Sequence, residues 1–350
     1  MTDYSMLLKK IANDIIIVEE YSKEENLRKK YMDKTRAYLQ LLSLHMNNAE
    51  DDFKYCEIKI VYEKVKDAWL EYLKGNVESA NSKFRNLLNR RFAPGKLIDM
   101  MRKTISSDYD DDSIVIGIKE DFKRLYRCRV EKNDKEVIHD GIFHIAYDSR
   151  QCVSAQRYSI QGFPMLYLGT SPEGCTKEIR NIEKNQQVWI SQFSVESKEP
   201  VYVVDVSLMP DDLLGYIEGK GIDKSEVESW VINYLYILPI VIACYYYSTE
   251  KDLAFHNEYV VPQMLTHALR NAGAKGKEKA CCIKYRSVRN SDRVYNYVLF
   301  PPTINAHERF SEYLRERVSW STPVIYDLFD ETIVVSKQKM EEYDRKKVYF

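Results

Sequence analysis

The run Arg157-Tyr158-Ser159-Ile160-Gln161-Gly162-Phe163-Pro164-Met165-Leu166-Tyr167-Leu168-Gly169, followed by Glu178, gathers more chemically matched residues than any other stretch of the chain. A guanidinium offers a planar fork of donors that fits phosphate oxygens and keeps its charge. Gly162 and Pro164 shape a turn that lets backbone come close to a ligand. Tyr158 and Tyr167 supply aromatic faces, one of which could stack on a base. Glu178 falls on the segment after Pro172. A carboxylate there could hydrogen-bond a ribose hydroxyl and stabilise an oxocarbenium-like centre as a glycosidic bond breaks. The set fits a phosphorylated nucleotide handled at its sugar. Taken singly, each residue also has a plainer reading: a salt-bridged surface arginine, a core tyrosine, a solvated helix glutamate.

Two further residues extend the set. Arg127, in Leu125-Tyr126-Arg127-Cys128-Arg129, lies on an alternating pattern that places Tyr126 and Cys128 on one side and Arg127 on the other. Facing inward, it needs a carboxylate or phosphate partner. Ser287 ends Cys282-Ile283-Lys284-Tyr285-Arg286-Ser287, a strand running into a polar turn, and reads either as a donor to phosphate or ribose or as a turn residue. The chain has no GxSxG, GxGxxG or GxxxxGK[ST] motif, which leaves a serine-hydrolase nucleophile and a glycine-rich phosphate loop without support. Its six histidines form no HExxH or His-rich cluster, and its seven scattered cysteines have no zinc spacing, so no metal is expected.

The elements that must position these residues fall into two textures. Residues 1–105 are charged and helix-patterned, without strand-like runs. Leu7, Leu8, Ile11, Ile15 and Ile16 share a helical face, as do Tyr38, Leu39, Leu41, Leu42 and Leu44. Tyr62, Val65, Trp69, Tyr72 and Leu73 form a third face, and Val77–Arg90 a further helix, with Ala80, Phe84, Leu87 and Leu88 inward. The acidic stretch within 106–118 reads as a linker or ordered loop. Beyond it, strands are expected at Leu125–Val130, Met165–Leu168, Val188–Phe193, Val201–Val206, Ala280–Tyr285 and Val294–Phe300, with helices at Ser171–Ile182, Lys224–Tyr236 and Val260–Ala272. Successive strands without regular βα alternation point to α+β.

Composition bounds the rest. Lys+Arg at 52 against Asp+Glu at 53 leaves no basic field to recruit nucleic acid. The N-terminus lacks a secretory pattern, and the cysteines read as reduced thiols, so a cytoplasmic location is expected. The apolar run 231–247 contains Asn233 and Pro239 and reads as a buried core helix broken near the proline, not a membrane span.

These segments resemble the RES-domain family, bacterial proteins named for an arginine, a glutamate and a serine. The matching pieces occur in order: Arg127, Phe143-His144-Ile145, Arg157-Tyr158-Ser159 with Gly162, Leu166-Tyr167-Leu168 and Glu178. Later come Glu258-Tyr259-Val260-Val261-Pro262-Gln263-Met264-Leu265, Tyr285-Arg286-Ser287 and Tyr297-Val298-Leu299-Phe300. The resemblance covers about residues 120–305 and implies an ADP-ribosyltransferase-like mixed β core with surrounding helices. That core would form a catalytic domain over 119–335, preceded by an all-α domain over 1–105 and followed by an extension at 336–350. It also implies a toxin of a toxin–antitoxin module that consumes NAD, is held by a helix-turn-helix antitoxin, and uses no metal. In that reading Arg127 and Arg157 hold the NAD phosphates and ribose, and Tyr158 and Tyr167 contact the dinucleotide, Tyr167 on its nicotinamide side. Glu178 stabilises the ribosyl cation, and Ser287 completes the contacts. Cleavage by water or phosphate, transfer of ADP-ribose to a macromolecule, and an inactive binding module are the alternatives. Oligomeric state stays open, a homo-oligomer included. The helical domain departs from the compact members of the family and fits a sensor, an oligomerisation unit or a built-in inhibitor.

Overall fold

A computed structural model of the chain describes residues 3–46, 52–105, 113–132, 135–179, 182–183, 185–197, 199–220, 223–250, 253–272, 280–289, 293–305, 307–327 and 332–334. In chain order the first elements are α1 (Asp3–Asp14), β1 (Glu19–Glu20), α2 (Leu27–His45), α3 (Phe53–Leu73), α4 (Val77–Asn89), β2 (Arg91–Phe92), β3 (Gly95–Lys96), α5 (Leu97–Met101) and β4 (Arg102–Ile105). Next come α6 (Ser113–Lys123), β5 (Leu125–Lys132), β6 (Leu166–Gly169), α7 (Pro172–Glu178), β7 (Gln186–Val195), β8 (Val201–Asp205), α8 (Pro210–Lys220) and α9 (Lys224–Cys244). The last are β9 (Tyr246–Tyr247), α10 (Val260–Ala272), β10 (Ala280–Arg286), β11 (Tyr295–Leu299), α11 (Glu312–Arg315), β12 (Val318–Trp320), β13 (Val324–Asp327) and β14 (Thr332–Val334).

The chain divides into two units made of separated segments. The first comprises the residues up to Lys103, Ala155–Ile160 and Val204–Ala280. The second comprises Thr104–Ser154, Gln161–Val203 and the described residues from Cys281 onward. The expected boundary near residue 105 therefore marks only the end of the first segment, because the helical unit also takes in 204–280. Of the expected linker 106–118, the part from Ser113 starts α6. Residues 106–112 and the expected extension 336–350 lie outside the described residues.

The reason for the interleaving is α9. Tyr234, Leu235, Tyr236, Ile237, Leu238, Ile240, Val241, Ile242 and Ala243 are all buried. A helix apolar on every side must be surrounded, and α1, α2, α3, α5 and α10 pack around it. It is long and apolar enough to cross a membrane, but 72% of its apolar window is buried inside the protein. The expected break at Pro239 does not occur. Proline cannot bond the carbonyl four residues back; that carbonyl, Leu235 O, accepts instead from the buried Tyr38 Oη at 2.8 Å. One long-range hydroxyl thus lets the helix run on to Cys244. The expected N-terminal faces hold, with three exceptions: Ile16, Leu44 and Leu73 are exposed.

The second unit is built on a mixed sheet in the order β14-β13-β7-β5-β6-β11-β10-β8-β4, with β12 also pairing with β7. The described ladders from β14 to β10 are antiparallel, and this establishes α+β. All six expected strands are present within a residue or two. One feature of the sheet matters for the site. β5 pairs with β7 along its whole length, from Leu125↔Phe193 to Lys132↔Gln186. Its described ladder with β6 is confined to the single position Tyr126↔Gly169.

Candidate active site

Glu178 is placed by close packing. Ser171 caps α7 by accepting from the Gly174 amide at 3.0 Å, with Pro172 in the first turn. A side chain on Gly169 would bring its Cβ to 2.7 Å from Cys175 Sγ, and one on Gly174 to 2.5 Å from Val294 Cγ1. The two glycines let α7 lie directly on β6 and on the residue leading into β11. The helix is shorter than the expected Ser171–Ile182, because Ile179 turns extended and packs with Ile182 against Tyr126, Val188, Ile190, Val324 and Tyr326. Glu178 is consequently the last helical residue.

A carboxylate at a helix C-terminus meets the unfavourable end of the dipole, so its charge must be supported from outside the helix. Ser287 Oγ donates to Glu178 Oε1 at 2.6 Å, and Asn296 Nδ2 donates to the same oxygen at 3.0 Å. Arg289 Nε stands 3.8 Å from Oε2. Ser287 and Asn296 are buried, at 2% and 5% exposure, while the Glu178 side chain keeps 32%. The result is a fixed carboxylate with two donors on one oxygen and an arginine beside the other.

Strand register places Tyr167 nearby. Tyr167 opposes Val298, Gly169 opposes Asn296, and Asn296 opposes Tyr285. Side chains alternate across a strand, so Tyr167, Asn296, Tyr285 and Ser287 share one face. Arg127, on β5, stands on the other face of the sheet, because Tyr126 pairs with Gly169 and so shares the face of these four. Alternation sets it opposite to Tyr126 and Cys128, which pack toward Cys175 and Ile179. Arg127 Nη1 donates to the Tyr167 carbonyl at 3.0 Å. Burial, and then the nearby Arg129, push the Arg127 guanidinium down to about 10, which leaves it charged at neutral pH. Beside it, burial pushes His144 down to about 4, with the charges of Arg127 and Arg315 adding to the effect. The neutral imidazole donates from Nδ1 to the Ile145 carbonyl at 2.8 Å and accepts at Nε2 from the Ser311 amide at 2.9 Å.

Arg157 and Tyr158 belong to the first unit. Gln156 and Ser159 exchange backbone hydrogen bonds of 2.9 and 3.2 Å, with Arg157 and Tyr158 at the corners of the turn. Gln263 Nε2 clamps that turn through the carbonyls of Gln156, at 2.9 Å, and Ser159, at 3.1 Å. Arg157 Nη1 donates to Cys244 O at 2.8 Å and Tyr246 O at 2.9 Å, and its guanidinium lies over the Tyr259 ring. Tyr158, expected as a nucleotide contact, is packed in the core at 0% exposure. Burial pushes the Cys244 thiol up to about 12.

Of the residues expected from sequence, the structure brings Glu178 and Ser287 into contact and joins Arg127 to Tyr167 through a carbonyl. Sequence reasoning missed Asn296 and Arg289. Asn296 carried a signal, being the polar position in Tyr295-Asn296-Tyr297-Val298-Leu299, a strand otherwise suited to a core. Arg289, in a polar turn, carried none.

An α+β domain that carries an arginine on β5, a glutamate at the end of α7 and a serine just after β10 is the class defined by this architecture. The family model for the RES domain matches residues 124–320, more than half of the chain, and the chain belongs to that family. A Bacillus subtilis (strain 168) protein bearing the name "Putative toxin YopC" is 24% identical over 311 residues, which cover 87% of this chain and 65% of that relative. The chain thus spans just under two thirds of the relative's length. No solved structure gives a significant match.

Proposed function

We propose that this protein consumes NAD by cleaving the bond between nicotinamide and ribose, and that it acts as a toxin. The observation that carries this reading is the Glu178 carboxylate, held at Oε1 by Ser287 and Asn296 with Arg289 beside Oε2, on a side chain that is 32% exposed. A fixed charge aimed where positive charge develops needs no reorganisation during the reaction. In the cleavage, the bond from ribose C1′ to the pyridinium nitrogen breaks and its electron pair neutralises that nitrogen. The cation left on the ribose is stabilised by Glu178. A nucleophile then adds to C1′ and gives its proton to solvent. Arg127, charged and bonded to the Tyr167 carbonyl, would take the phosphates, and Tyr167 would flank the nicotinamide. The family is the basis for reading the core as ADP-ribosyltransferase-like, and it supports the toxin role together with the printed name of the Bacillus relative. An inhibitory helix-turn-helix protein would be its partner, encoded by a neighbouring gene.

NAD labelled in its adenine half separates the outcomes. Free labelled ADP-ribose or its phosphate, with nicotinamide, is the expected result. Label retained on protein or nucleic acid would replace cleavage by transfer at the same carboxylate. Intact NAD would overturn the reading.

A further inference from the structure

We infer that Asn296 is a positioning residue for this chemistry, selecting which oxygen of Glu178 acts; the inference rests on the reading of Glu178 as the reacting carboxylate. Asn296 sits on β11 inside the sheet, between β6 and β10, at 5% exposure. A buried carboxamide costs free energy unless its donors are used, and here the amide nitrogen faces Glu178 Oε1 at 3.0 Å. The orientation is fixed by chemistry, because an ionised carboxylate only accepts.

Three features make this a built seat rather than a chance contact. Gly169 opposes Asn296 across the β6–β11 ladder, and a Cβ on Gly169 would come within 3.2 Å of Asn296 Oδ1 and 2.7 Å of Cys175 Sγ. The glycine therefore leaves room for both the amide and the helix that delivers Glu178. Ser287 donates to the same Oε1 and receives the Arg289 amide at 3.2 Å, which ties the polar turn to the carboxylate. Two donors on Oε1 fix the carboxylate plane and leave Oε2, 3.8 Å from Arg289 Nε, as the oxygen for the sugar. Ser287 alone would allow rotation about its single bond. Asn296, anchored in a central strand, does not.

The test uses the full chain and three substitutions. Asn296→Asp keeps the shape but replaces the donor by an acceptor, Asn296→Ala removes the group, and Asn296→Gln keeps a carboxamide. With NAD as substrate, kcat should fall on the order of 100-fold in the first two, the scale of an ångström's misplacement. KM should stay within about threefold of wild type, a loss confined to the transition state. Asn296→Gln should recover part of the rate. A merely structural role would raise KM and lower the melting temperature along with kcat, with no rescue by Gln. Unchanged kcat in Asn296→Asp and Asn296→Ala would overturn the inference while leaving NAD cleavage standing. A second measurement does not depend on turnover. The side-chain amide signals of Asn296 in a 15N spectrum should move on Glu178→Gln. If wild type leaves NAD intact, the functional reading fails, and these signals alone decide whether Asn296 seats the carboxylate. Signals indifferent to Glu178→Gln would overturn the seat.

Discussion

Arg157 and Glu178 look like one constellation in the sequence, yet the structure gives them opposite kinds of employment. Arg157 has two backbone carbonyls on one nitrogen, a tyrosine ring beneath it and a turn clamped by Gln263. Glu178 has two hydrogen-bond donors on one oxygen, an arginine near the other, and a side chain that is 32% exposed. The first arrangement closes the end of α9 onto the turn, and its loss should be felt as stability. The second stabilises little by itself, since a carboxylate at a helix C-terminus is locally unfavourable, and its loss should be felt as rate. A residue that breaks a local rule and is then supported from elsewhere is the pattern expected at a functional site.

The largest effect should belong to Glu178→Gln: NAD turnover lower by about 1,000-fold, roughly 4 kcal/mol of barrier, with a melting temperature close to wild type. A fall in rate matched by loss of fold would erase the contrast. Arg157→Ala should cost about 3 kcal/mol of unfolding free energy, the worth of charge-assisted hydrogen bonds lost from a packed site. Denaturant titration reads this directly, and an unchanged midpoint would remove Arg157 from the scaffold.

His144 sharpens the comparison through pH. Its folded value is depressed to about 4 by burial, so as pH falls the unfolded chain takes up the proton first. Its contribution is intact above pH 6.5 and is lost progressively between about 6.5 and 4, by at most about 3 kcal/mol. Stability of His144→Asn should be flatter across that window; an identical slope would exclude the histidine as its source.

Tyr38→Phe should cost about 1–2 kcal/mol by stranding the Leu235 carbonyl. Pro239→Ala restores a backbone donor for that carbonyl, so the double variant should lose less than the two single costs added. Strict additivity would show that the hydroxyl does not replace the missing amide. The smallest effect is Arg289→Gln. At 3.8 Å, with both side chains near one third exposed, the pair should change stability by no more than about 0.5 kcal/mol.

Much of the sheet was legible in the sequence because alternation survives in β5, β6, β7, β8, β10 and β11, whose pleats bury at least one face. The helical faces of α2, α3 and α4 were legible for the same reason. The interleaving of the units was not. It depends on α9 needing neighbours on every side, and periodicity says nothing about which helices supply them. Nor could the continuity of α9 be read, since the hydroxyl that satisfies Leu235 comes from Tyr38, far away in sequence. In the site, Glu178 and Ser287 were named by resemblance, and their contact follows from register. Asn296 was visible as a polar residue in an apolar strand, but its meaning required knowing that Gly169 lies opposite. Tyr158, a tyrosine beside an arginine, looks like a ligand contact in the sequence, and its complete burial was not legible there.

The central claim, that the Glu178 site breaks the nicotinamide–ribose bond, is tested most directly by following nicotinamide released when purified wild-type protein is incubated with NAD. The account predicts many equivalents of nicotinamide per protein and a matching loss of the dinucleotide. NAD that remains intact through a long incubation with micromolar protein would contradict it.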